Sequence, residues 1–115
     1  MLLFRKRFLP AIRAGQKTQT IRLWKYRHMR AGQRSYIPGA GHIRILAVDE
    51  VELAQLTDAD ARPDGFETIE ELRAEISRLY AKQLAAGYRA YRIRFQLCPK
   101  GEEEMTKDEN KMTKE

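Results

Sequence analysis

The sequence predicts a small α+β barrel made by a single domain. Three observations carry that expectation. Short segments around residues 18–24, 43–53 and 91–97 alternate apolar and polar residues, the pattern of half-buried strands. Residues 68–83 carry apolar side chains at helical spacing. The chain has 115 residues and 43% apolar content, enough for one modest core but not for two. Short strands that outnumber two helices bury their apolar faces best when the sheet closes, or nearly closes, on itself.

The elements follow in chain order. Phe8, Leu9, Ala11 and Ile12 make a short amphipathic helix, with Pro10 tolerated in its first turn and Gly15 placed to end it. From Thr18 to Trp24 the residue types alternate, so Ile21 and Leu23 face the core while Thr18, Thr20, Arg22 and Trp24 share the opposite face. Tyr36 and Ile37 lead into the loop signal Pro38-Gly39-Ala40-Gly41. Ile43, Ile45 and Ala47, then Val51 and Leu53, mark a second extended region. Ile69, Leu72, Ile76, Leu79 and Tyr80 define the longest helix, which Thr68 and Glu71 open as a capping box. Tyr91, Ile93, Phe95 and Leu97 alternate with Arg92, Arg94 and Gln96 in a last strand. Residues 98–115 hold two Met as their only large apolar residues, which predicts a solvated, disordered tail and sets the folded unit at residues 1–97.

Charge is sorted along the chain. Residues 1–48 hold eleven Lys or Arg and no acid, and the ten acids of the folded unit all lie between Asp49 and Glu75. A one-signed field of this kind concentrates anions such as a phosphate backbone, although a merely solubilising surface has the same composition. Cys98 is the only cysteine, so an intrachain disulfide and a cysteine-based metal site are excluded. His28 and His42 stand outside metal-binding spacings, so no metal and no cofactor are expected. The start MLLFRKRFLP has too short an apolar stretch for a secretory signal, and no run is long enough to span a bilayer, so a cytoplasmic protein without membrane contact is expected. Composition leaves the oligomeric state open.

Residues 15–22, Gly15-Gln16-Lys17-Thr18-Gln19-Thr20-Ile21-Arg22, match the signature G-x-K-x-x-T-x-R that opens ASCH domains at all four fixed positions. Leu56 to Phe66 resembles the family's second segment, an LT start followed by A-x-x-DGF, and Tyr91 to Phe95 resembles its closing strand. The three segments occur in the right order across residues 2–97. The resemblance implies a PUA-like β-barrel with a cleft lined by the signature, and RNA or a nucleoside, modified or not, as the partner. Among similar proteins are small bacterial amidohydrolases that cleave N(4)-acetylcytidine, and their catalytic set falls on Lys17, Thr20 and Asp64. Those enzymes carry Glu at the position of Asp64, one methylene longer, which weighs against catalysis here because a displacement of about 1 Å can cost on the order of 100-fold. The expected function is therefore binding of RNA or a nucleoside in a basic cleft. Amidohydrolysis is the first alternative and ribonuclease activity, attributed to some relatives, the second.

The chemistry sets conditions of its own. A Thr hydroxyl needs a base, and Lys17 serves only if neutral, which burial and the nearby Arg22 would favour. On a regular strand Lys17 and Thr20 point to opposite faces, so a shared site requires Lys17 to sit on the turn before the strand. Asp64 would hold Lys17 or accept a hydrogen bond from a base, and Arg22 would contact phosphate or stabilise an oxyanion. Trp24 and Tyr26, set among Lys25, Arg27 and Arg30, suit base stacking, while core packing suits Trp24 equally well. Arg62, beside Asp64, completes the set of ligand-binding candidates.

Overall fold

The structure, a computed structural model, describes residues 1–99, so the tail expected to be disordered over 98–115 lies, from residue 100 on, outside the described residues. Helix α1 (Leu9–Arg13) follows a 3-10 turn at Lys6–Phe8. Strands β1 (Gln19–Trp24), β2 (Arg34–Ile37) and β3 (Gly41–Val51) lead to the one-turn helix α2 (Asp58–Ala61). Helix α3 (Ile69–Ala85) and strand β4 (Arg89–Leu97) follow. The four strands form one antiparallel sheet in the order β1-β4-β3-β2.

This is an α+β fold, and the sheet order gives four antiparallel strands without showing the closure expected from the sequence. β1 and β2 lie at opposite edges, and no ladder joins them among the described residues. Each edge is covered by other backbone instead: the Leu2 N–H donates to Tyr36 O at 3.0 Å along β2, and the Thr18 N–H donates to Pro63 O at 2.8 Å at the start of β1. Such cover satisfies edge groups that closure would otherwise have to pair.

Register explains why the sheet carries a core on each face. Thr20 and Arg22 stand opposite Ile93 and Tyr91, and Ile21 and Leu23 opposite Arg92 and Ala90. Ile93, Phe95, Tyr91, Ile43, Ile45 and Val48 pack with Leu2, Ile12 and Met29 on one face, and Ile21, Leu23 and Ala90 pack with Leu72 and Ile76 of α3 on the other. Each Val, Leu, Ile, Phe or Met side chain among these contributes about 1.5–3 kcal/mol when fully buried. The alternation expected to place Ala47 in the core breaks at a bulge. Ile45 pairs with Phe95 but Ala47 with Arg94, so Leu46 is left out at 51% exposure and Val48 takes the core position.

Helix α2 was not expected from the sequence. Thr57 and Asp60 form a capping box that closes this single turn, in which the Thr57 N–H donates to Asp60 Oδ2 at 2.8 Å. Helix α3 matches the expected span, opens on the Thr68 hydroxyl, which accepts from the Glu71 N–H, and is interrupted at Tyr80 (φ −124°, ψ 25°). Among the described residues no helix is long and apolar enough to cross a membrane.

Candidate functional site

The site forms beside β1, around the start of the strand. Gly15 ends α1 in the left-handed region (φ 77°), and the Lys17 N–H donates back to Ala11 O at 3.1 Å. Lys17 therefore sits on the connection before the strand, where it shares a side with Thr20. Across from it, a 3-10 turn at Arg62–Asp64 is closed by Gly65, whose φ of 97° favours glycine. That turn delivers the Asp64 carboxylate to Lys17.

Lys17 and Asp64 are each only 3% exposed. Lys17 Nζ donates to Asp64 Oδ1 at 2.9 Å, to Gln19 O at 3.1 Å and to Asp64 O. The three donors of an ammonium are thus matched by three oxygens. Asp64 Oδ2 accepts from Gln19 Nε2 at 3.2 Å, and the same amide donates to Asp60 O at 3.0 Å. Rings of Phe4, Phe8 and Phe66 surround the ammonium, with centroids 5.5, 5.0 and 6.0 Å away. Burial holds the Lys17 pKa below its ordinary value, and Asp64 opposes the shift by its charge and its hydrogen bond.

Thr20 and Arg22, two residues apart on one face of β1, continue the site. The Thr20 hydroxyl accepts from Arg22 Nε at 3.0 Å, and Arg22 Nη2 donates to Leu3 O at 2.8 Å. The Arg22 guanidinium lies 4.7 Å from the Phe4 ring centroid, and burial lowers its pKa from the usual value. No carboxylate lies within ion-pair distance of it among the described residues.

These side chains share one cavity of about 360 Å³, a size suited to a small ligand. Its apolar lining comes from Leu3, Phe4 and Phe8 of the N-terminal segment and from Leu72, Ile76 and Tyr80 of α3; its polar lining includes Lys17, Thr20, Arg22 and Asp64. The structure thus brings together four of the seven residues singled out in the sequence. The other three lie apart from the cavity. Trp24 packs against the core beside Tyr91 (5.6 Å between ring centroids) and His28 (4.8 Å), Tyr26 is 70% exposed in the following loop, and Arg62 is exposed on the outer side of its turn. Of the two roles the sequence left open for Trp24, the structure shows packing: the strand carries it two residues beyond Arg22, about 7 Å along β1.

Two residues of the site, one behind Asp64 and one in the cavity lining, escaped the sequence reading. Gln19 is 2% exposed and fixes Asp64, although at a variable position of the signature nothing marks it. Glu75 of α3 lines both this cavity and a neighbouring groove, the latter together with Arg7 and Arg78; its side chain is 10% exposed and ion-paired with both. Its signal was present: it falls three residues after Leu72 and beside Ile76, inside the apolar stripe. Among the described residues no group of three His, Cys, Asp or Glu side chains is arranged to hold a metal.

No protein-family model and no curated protein matches the chain. Solved structures do resemble it. A hypothetical protein designated PH0355 superposes with a TM-score of 0.69 at 17% identity, over 82% of this chain and 94% of the other. A DUF984 protein of Enterococcus faecalis gives 0.66 at 18% identity, over 80% and 67%. An ASCH domain of Lactobacillus crispatus gives 0.64 at 13% identity, over 76% and 68%. The chain has an ASCH-like fold. At such identities the likeness speaks for the fold alone.

Proposed function

We propose, taking the ASCH-like fold as premise, that this domain binds a nucleoside-like ligand carrying phosphate, such as a mononucleotide or the end of an RNA strand, in the cavity beside β1. The observation that carries this reading is Arg22. A half-buried guanidinium at a cavity wall, hydrogen-bonded only to neutral oxygens, has its desolvation only partly offset, and an anionic ligand supplies the missing partner. The aromatic walls supply stacking for a planar ring. Titrating the four ribonucleoside 5′-monophosphates and the corresponding nucleosides by calorimetry is expected to show the monophosphate bound tighter by about tenfold or more, as charge-assisted hydrogen bonds require. Equal binding of both forms, or of neither, would remove the reading. Single-stranded RNA is expected to bind micromolarly in low salt and to weaken steeply as salt rises, since eleven cations occupy the acid-free first 48 residues. Salt-independent or absent binding would remove an RNA strand as partner.

A second reading, hydrolysis of an N-acyl nucleoside, is favoured by the convergence of Lys17, Thr20 and Asp64 on one cavity. Two features of the same site oppose it. Lys17 Nζ donates to three oxygens, which favours the ammonium, whereas a base needs a free lone pair. The side-chain partner of the Thr20 hydroxyl is Arg22, which cannot take a proton. The protein is expected to release no acetate from N(4)-acetylcytidine above background. Turnover that Thr20→Ala abolishes, with the fold intact, would establish the hydrolase instead.

A further inference from the structure

The carboxylate of Glu75 occupies a place that an apolar side chain would fill at lower cost. It lies on the stripe of α3 formed by Leu72, Ile76 and Leu79, which line the same cavity. Burial raises its pKa, and hydrogen bonds and charge from Arg78 and Arg7 more than offset this, so the net shift is downward and the group is ionised. Each Arg engages one oxygen of the carboxylate, and both Arg side chains are more than half exposed. A carboxylate oxygen has two acceptor directions, so each retains one. The group also contributes, as the smallest of the causes, to the electrostatics at Lys17. The donors that reach the cavity from β1 are cationic or hydroxyl; the Asp64 carboxylate is already occupied by Lys17 and Gln19.

We infer that Glu75 is a specificity-determining residue that accepts a hydrogen bond from the ligand, and so selects ligands that present an O–H or N–H donor as well as an anion. The inference rests on the proposed nucleotide reading. The donors a nucleotide offers are its ribose hydroxyls, the exocyclic amine of adenine, cytosine and guanine, and the ring imino N–H of uracil and guanine, so cytidine and uridine present donors of different position. Arg22 and Glu75 then divide the work: the guanidinium takes the phosphate, and the carboxylate favours ligands that bring a donor to the acceptor direction left open beside each Arg.

The test compares each ribonucleoside 5′-monophosphate with its 2′-deoxy form, and cytidine with uridine monophosphate, on the full chain. Wild-type protein is expected to prefer the ribose form, or the cytidine form, by about tenfold or more. The first outcome assigns the donor to ribose and the second to the base. Glu75→Met keeps length and removes the acceptor, and it folds because Arg7 and Arg78 are solvated without their partner. In that variant the preference collapses to below about twofold, while Arg78→Gln, which leaves the carboxylate paired to Arg7, retains it. Preference unchanged in Glu75→Met, or absent from a wild-type protein that still binds nucleotides, overturns the role of Glu75 and leaves the nucleotide reading standing. Failure to bind any nucleotide overturns both.

Discussion

Lys17→Met is expected to lower the melting temperature by about 12 °C or more. The substitution leaves the Asp64 carboxylate 3% exposed with only the Gln19 amide as its side-chain donor. Breaking a buried ion pair by removing one partner costs about 3–5 kcal/mol, and in a domain of this size each kcal/mol corresponds to about 4–8 °C. The cost is local in origin but wide in effect. Lys17 also donates to Gln19 O and Asp64 O, so it fastens the turn at Arg62–Asp64 to the start of β1. Replacing both partners, as Lys17→Met with Asp64→Leu, is expected to recover most of the loss, because two apolar groups leave no buried charge unpaired. Thermal denaturation of the three variants checks this; a single variant that melts with the wild type would show that the pair does not hold the site together. Any loss of binding or turnover in Lys17→Met must be read against that fall in stability.

The same lysine sets a pH dependence of unusual sign. Its folded pKa lies below 10.5, chiefly through burial, whereas the unfolded chain keeps the ordinary value. Between the two values the unfolded state binds more protons than the folded state, so stability rises with pH across that window. A lysine whose pKa is raised by an exposed ion pair loses stability there instead. The rise is expected in wild-type protein and absent from the Lys17→Met profile.

Arg22→Met is expected to separate stability from binding. Removing a half-buried cation that has no carboxylate partner costs two hydrogen bonds, to Thr20 and to Leu3 O, but relieves desolvation, so the melting temperature should hold or rise. Nucleotide affinity should fall by about 10- to 100-fold, the range of a hydrogen bond to a charged group. Nucleoside affinity should stay within about threefold, because the lost contact is to phosphate. Calorimetric titration of both ligand forms against both proteins measures the effect. An unchanged monophosphate affinity would show that Arg22 does not face the ligand; a large fall in melting temperature would show that its role is structural.

Much of the site was legible before any coordinates. The fixed positions of residues 15–22 placed Lys17, Thr20 and Arg22 in one short segment, and the requirement that Lys17 precede the strand followed from the period of two along an extended chain. Gly15 made the necessary turn legible, because a left-handed residue was needed there. The long helix and the final strand were readable for a related reason: their apolar residues recur at the period of the element they form. Bulge, capping turn and sheet order were not readable in this way. The insertion at Leu46 that moves Val48 into the core depends on the partner strand β4, and helix α2 is too short for any periodicity to show.

What local sequence determines here is residue type at a given phase of a strand or helix; what tertiary structure alone decides is which of those residues meet. Trp24 continues the face of Thr20 and Arg22, but strand rise carries it past the cavity and Tyr91 claims its ring for packing. Glu75 was visible as an acid within an apolar stripe, yet only the approach of Arg7 from the N-terminal segment and the placement of α3 against β1 make it a buried acceptor at a ligand-sized cavity. Lys17 and Asp64, separated by 47 positions, acquire their meaning through one 2.9 Å contact that removes both charges from water. Desolvation depends on everything that surrounds a group, and no segment of sequence contains that information.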